Sequence, residues 1–129
     1  MSDTEKHLHG KLDTFARMVA QRDPALVDEL WGEGDFIMVG SEHGEICRTR
    51  PELQARLAAI FATPATYAFA LPTRRLTLAG TAARIFAEGH LTLKTPGKPD
   101  LPRPYLALCI FEYAGGHWRW RQFFGSEPA

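Results

Sequence analysis

Cysteine is scarce in this chain: Cys47 and Cys109 are the two among 129 residues. Two cannot make a disulfide framework, so the fold must be held by burial. Cys109 lies inside an apolar run, where a reduced, buried thiol is expected. Net charge is also missing, with 15 Lys and Arg against 15 Asp and Glu. That balance excludes the basic footprint of a nucleic-acid or anionic-membrane binder and opposes self-association only weakly. No apolar run approaches the ~18 residues of a membrane span. The N-terminal MSDTEKHLHGK has no signal-peptide core, and a soluble cytoplasmic protein is expected. Zinc spacing, a phosphate-cradling glycine loop and a nucleophile elbow are all absent, so neither metal nor cofactor is expected. His7 and His9 stand two apart, on different sides of a helix, with no third ligand close in sequence.

What is present is ordinary globular material, 45% hydrophobic and 23% charged, enough for one domain over 1–129 with its own core. The stretch YLALCIFEYAGGHWRWRQFFGS, Tyr105 to Ser126, is its centre. Tyr105 to Tyr113 is nearly continuous in apolar residues, as in a central strand covered on both faces. Gly115-Gly116 supplies the positive φ of a tight hairpin turn. The second run alternates, which puts Trp118, Trp120, Gln122 and Phe124 on one face and Arg119, Arg121 and Phe123 on the other.

Leu8, Leu12, Phe15, Met18 and Val19 recur at helical steps and predict a first helix within Ser2 to Arg22. Asp23 as N-cap and Pro24 as first helical residue restart a short helix over Ala25 to Trp31. Asp35 to Ser41 reads as a strand, with Phe36 and Met38 on one face and Ile37 and Val39 on the other. Glu42-His43-Gly44 turns it into a short return strand, Glu45 to Cys47, and His43 there is expected in solvent. Thr49 caps a helix from Arg50 to Phe61. Strands follow at Tyr67 to Leu78, interrupted near Pro72 as at a bulge or edge, and at Ala82 to Lys94. Thr95 to Pro104 reads as a proline-rich connection, and Gly125 to Ala129 as a loose tail. Helices followed by strands predict an α+β fold, a curved antiparallel sheet wrapped around N-terminal helices. The mouth of such a cone suits a small-molecule pocket.

This order, and strings spread along nearly the whole chain, resemble the nuclear transport factor 2-like superfamily, cystatin-like α+β cones, and in particular its SnoaL-like branch. The strings are Phe15 to Ala20 followed by Asp23-Pro24-Ala25, the strand opening Asp35-Phe36, the turn at Gly44, the helix Arg50 to Phe61 and the ending Gly-Gly-His-Trp-Arg-Trp-Arg-Gln-Phe-Phe-Gly-Ser. The resemblance implies a homodimer joined through the outer sheet face and a ligand held in the cone. Val39-Gly40-Ser41-Glu42 is similar to a stretch of ketosteroid isomerases whose general-base aspartate lies two residues before the valine; Ile37 stands there in this chain. Phe15 stands where that family carries an oxyanion-donating tyrosine. Gln122 stands where SnoaL cyclases carry an acid/base aspartate.

Two groups of residues carry chemistry. Arg84, Glu88 and His90 share one strand face, and a carboxylate beside an imidazole could move protons near neutral pH. That face lines either the pocket or the exterior, since Ile85, Ala87, Leu91 and Leu93 make the other the better core face. Asp35 is a further candidate acid, or a turn-former. With Glu88 and His90 it completes the catalytic candidates. The candidate pocket is Phe15, Trp31, Phe36, Met38, Tyr105, Cys109, Trp120 and Gln122, for a small hydrophobic or aromatic ligand, with Gln122 or Tyr105 orienting it. Three functions follow: a small-molecule binder, an isomerase, cyclase or dehydratase working by acid–base chemistry, or a non-catalytic dimeric assembly module. The residues leave open whether the protein is an enzyme.

Overall fold

The structure is a computed structural model that describes residues 1–32, 34–40 and 45–128. The turn expected at Glu42-His43-Gly44, with His43, lies outside them. The described elements are α1 (Asp3–Ala20), α2 (Leu26–Leu30), β1 (Ile37–Val39), β2 (Ile46–Cys47), α3 (Arg50–Phe61), β3 (Thr66–Ala79), β4 (Ala82–Lys94), β5 (Leu101–Ala114) and β6 (His117–Ser126).

Helices α1 and α3 start where their cap residues dictate. Ser2 and Glu5 close a reciprocal capping box on α1, at 3.1 Å in both directions, and Thr49 Oγ1 accepts from the Glu52 amide at 3.3 Å on α3. The α1–α2 joint differs from expectation. Asp23 Oδ1 accepts from the Ala25 amide at 2.9 Å, but residues 23–25 form a turn and α2 begins only at Leu26, with Ala25 as its N-cap. A single turn precedes the helix because the Leu26 amide is taken by the Asp23 carbonyl three residues back, at 3.1 Å. Arg22, with a left-handed φ of 53°, holds this corner by donating to the Thr63 and Pro64 carbonyls at 2.9 and 3.2 Å.

The strands form one six-stranded sheet in the order β2-β1-β6-β5-β4-β3. The hairpin of β5 and β6 therefore occupies its middle, turned by Gly115 and Gly116 at φ 63° and 88°, the geometry of a two-residue type I′ turn. One pair departs from the antiparallel expectation: β1 runs parallel to β6, so the sheet is mixed. No hairpin joins these two strands, and nothing in the chain forces them to oppose each other.

The proline-rich connection is shorter than expected. Leu101 to Pro104 already pair with β4, Pro102 opposite Thr92 and Pro104 opposite His90. Both prolines are tolerated because β6 ends opposite Leu106, leaving that side of β5 an open edge where no N–H is required. The tail is also more ordered than expected, since Gly125 and Ser126 belong to β6 and Glu127 meets Arg103 at 3.5 Å. At Pro72 the expected irregularity appears as a register shift between Ala70 and Thr73 on the edge strand β3.

The concave face carries the core. Ala83, Ile85 and Ala87 of β4, Tyr105, Ala107, Cys109 and Phe111 of β5, and Trp120 and Phe123 of β6 are buried beneath Leu8, Leu12, Phe15, Met18 and Val19 of α1. Among the described residues no helix is long and apolar enough to cross a membrane.

Candidate functional site

One hydrophobic hollow of about 320 Å³ opens between the helices and the concave face. Its floor is aromatic. Phe15 from α1 meets Phe123 from β6 with ring centroids 4.6 Å apart and Phe69 from β3 at 5.5 Å, and Phe69 stands edge-on to Tyr105 at 5.2 Å. Val19, Leu57, Ile60, Phe61, Leu91 and Leu93 make further apolar walls, and Met38 and Tyr67 also face the space. The polar groups come as two ion pairs on its lining: Glu45 with Arg56 at 2.5 Å and Arg103 with Glu127 at 3.5 Å. An apolar body with a few polar groups is the usual make-up of a small-molecule site, at the small end of its size range.

Of the expected pocket residues, Phe15, Met38 and Tyr105 line this cavity. Phe36, Cys109 and Trp120 lie beneath it in the solid core, exposed by 1%, 0% and 1%. Trp120 packs on Phe111, Phe15 and Phe36 at centroid distances of 4.5, 5.7 and 6.4 Å. Its indole Nε1 has no hydrogen-bond partner among the described residues. Trp31 packs edge-on against Phe36 at 5.6 Å, outside the cavity. Burial pushes the Cys109 thiol up to about 12, which fits a structural residue and not a nucleophile.

Gln122 does not look inward. The register shifts between Ile110 and Phe111 of β5, so that Arg121 is the extra residue on β6. Past the bulge the two faces exchange. Phe123, opposite the buried Cys109, takes the inward place, while Gln122 faces outward opposite Ile110. Strict alternation puts Phe123 outside, and so misses one of the four rings of the floor.

Glu88 and His90 stand on the exposed side of β4 with Phe86, away from the cavity, and Asp35 is exposed too. These three are not brought together, and none lines the hollow. The charged groups that do line it, Glu45, Arg56, Arg103 and Glu127, sit just before a short return strand, in the middle of a helix, on a proline-rich edge and in the tail. No local pattern in the sequence joins them. Among the described residues no group of three or more His, Cys, Asp or Glu could hold a metal ion.

The profile of the SnoaL-like domain matches residues 11–129. The chain belongs to the SnoaL-like family. Solved structures of the same fold are only distantly similar in sequence. A presumed dehydratase of the NTF2-like family from Streptomyces avermitilis is 15% identical with a TM-score of 0.85, covering 99% of each chain. ActVI-ORFA from Streptomyces coelicolor is 12% identical at 0.80, covering 98% of each. An NTF2-like protein with a cystatin-like fold from Novosphingobium aromaticivorans is 12% identical at 0.76, covering 95% of this chain and 80% of that one. A search of curated proteins finds no match. At such identities the likeness establishes the fold alone.

Proposed function

We propose that this SnoaL-like protein binds a small, largely apolar molecule in the hollow above Phe15, Phe69 and Phe123. The observation that carries the reading is the hollow itself. The inner end of the concave face is filled by Trp120, Phe111 and Phe36, whereas its open end keeps about 320 Å³ between aromatic walls. Binding is favoured over acid–base catalysis because Glu88, His90 and Asp35 lie outside the hollow, and the two carboxylates on its lining are each engaged by an arginine. Two free, buried cysteines suit a reducing compartment such as the cytoplasm. The test is a thermal-shift screen of hydrophobic ketones, phenols and carboxylates, repeated on Leu91→Trp, which fills the hollow. Compounds that raise the melting temperature of the native chain and not of the variant support the proposal. An equal response, or none in either, overturns it.

A second reading concerns association. Phe86, Leu108 and Phe124 stand opposite one another across β4, β5 and β6 on the outer face. Phe86 is 37% and Phe124 41% exposed. This apolar row suits a homodimer joined through the outer face. Light scattering coupled to size exclusion checks it: a dimer that Phe86→Glu with Phe124→Glu converts to monomer is the expected outcome, and a monomeric native chain excludes it.

A further inference from the structure

The four charges on the lining of the hollow sum to zero, but they are not equally exposed. In each ion pair the carboxylate is the more enclosed partner: the Glu45 and Glu127 side chains are 20% and 26% exposed, against 41% and 47% for Arg56 and Arg103. Water and salt screen the two outer guanidinium groups, whereas the carboxylates act across poorly solvated, apolar space. Their influence reaches the aromatic wall. The Tyr105 phenol, buried on that wall, is held well above its ordinary pKa, first by burial and then by Glu127 and Glu45. The floor adds to the same sign, because the faces of Phe15, Phe69 and Phe123 carry the negative part of the ring quadrupole. An arginine on one oxygen does not saturate a carboxylate, which has about four acceptor positions.

We propose that the hollow selects an organic cation, a protonated primary amine carried on an apolar ring system. The inference rests on the ligand-binding reading above and adds the sign of the ligand's charge to it. The rings pack on Phe15, Phe69 and Phe123, where aromatic faces tolerate a cation nearby. The ammonium group donates to Glu45 and Glu127. Taking it out of water is costly unless such partners receive it, so selection depends on these two side chains. A hydrocarbon of the same shape gains the packing alone. A carboxylate meets like charge on the less screened side of both pairs.

Titration calorimetry with three probes of one shape, aminotetralin, tetralin and tetralin carboxylate, tests this on the native chain, on Glu45→Gln, on Glu127→Gln and on Leu91→Trp. Charge-assisted hydrogen bonds predict that the native chain prefers the amine over the hydrocarbon by roughly tenfold or more. It binds the carboxylate more weakly than the amine. Either glutamine variant should lose about threefold to tenfold in affinity for the amine and keep its affinity for tetralin. Leu91→Trp, with the hollow filled, should bind none of the three. Equal binding of amine and hydrocarbon by the native chain overturns the inference while leaving the binding pocket intact. So does an amine preference unchanged in both glutamine variants, and so does a carboxylate bound more tightly than the amine. Amine binding that survives Leu91→Trp puts the cation outside the hollow and overturns the inference as well. Binding of none of the three by the native chain overturns the pocket and the inference together.

Discussion

The two ends of the concave face are built from the same kinds of side chain, yet one is solid and the other hollow. At the solid end Phe111 and Trp120 meet at 4.5 Å over Cys109 and Ile85, all fully buried. At the hollow end Leu91 and Leu93, further along the same strand as Ile85, are only half-buried and face open space. The difference is one of what lies opposite. At the solid end Leu8 and Leu12 of α1 and Leu30 of α2 are fully buried, whereas at the hollow Phe15, Val19 and Leu26 share the lining with Leu57, Ile60 and Phe61 of α3 across open space from Leu91 and Leu93. Aromatic content does not separate a core from a pocket; the distance to the next layer does.

Truncation should break this contrast most sharply. Phe111→Ala is expected to cost about 3–5 kcal/mol, since it leaves a void in a rigid site. Leu91→Ala, at a side chain already facing free space, should cost less than about 1.5 kcal/mol. Urea unfolding of both variants gives the comparison, and equal losses would contradict it. Enlargement sharpens the same point from the other side. Ala87→Leu, at a fully buried position of β4, should lose about 1–3 kcal/mol by overpacking. Leu91→Phe should stay within about 0.5 kcal/mol and only reduce the room for ligand. Gly89→Ala should be at least as damaging as Ala87→Leu, because its new Cβ would lie 1.9 Å from the Ala70 carbonyl oxygen at the β3 bulge; thermal unfolding reads the loss.

The smallest effect, absent at neutral pH, comes from the buried acids. The Cys109 thiol titrates at about 12 in the folded chain against 9.0 when free, and the Tyr105 phenol is raised above its 10.0. Unfolded chains therefore give up these protons first, and stability falls as pH rises from 9 towards 12. Cys109→Ala should flatten that decline in a pH series of urea midpoints, whereas an unchanged slope would show the thiol to be accessible.

Comparing β4 with β6 explains how much could be read from the sequence. On β4 strict alternation holds from Ala83 to Leu93, and Ile85, Ala87, Leu91 and Leu93 turn inward as their pattern says, which leaves Glu88 and His90 outside. On β6 the same rule holds to Trp120 and fails one residue later. Trp120, Arg121, Gln122 and Phe123 give no composition cue for the bulge, because its cause is the match to β5 and not anything local. The helix start at Thr49 was legible because a cap is decided by its own residues. The polar groups of the hollow were not, since Glu45, Arg56, Arg103 and Glu127 meet only after the layers have closed.

The bulge on β3 has a consequence beyond the shape of the cavity. This outermost strand breaks register at Ala70 to Thr73 around Pro72, and Arg74 fastens the break by donating to the Leu71 carbonyl at 2.7 Å and to Asp13 of α1 at 2.6 Å. The opposite margin, β2, is two residues long. The bulge leaves an incoming chain at most the stretch from Thr73 to Ala79 in unbroken register on one border, and two residues on the other. Short and interrupted borders disfavour growth of the sheet by strand addition, a safeguard against fibre formation where strands such as β5 are nearly continuous in apolar residues.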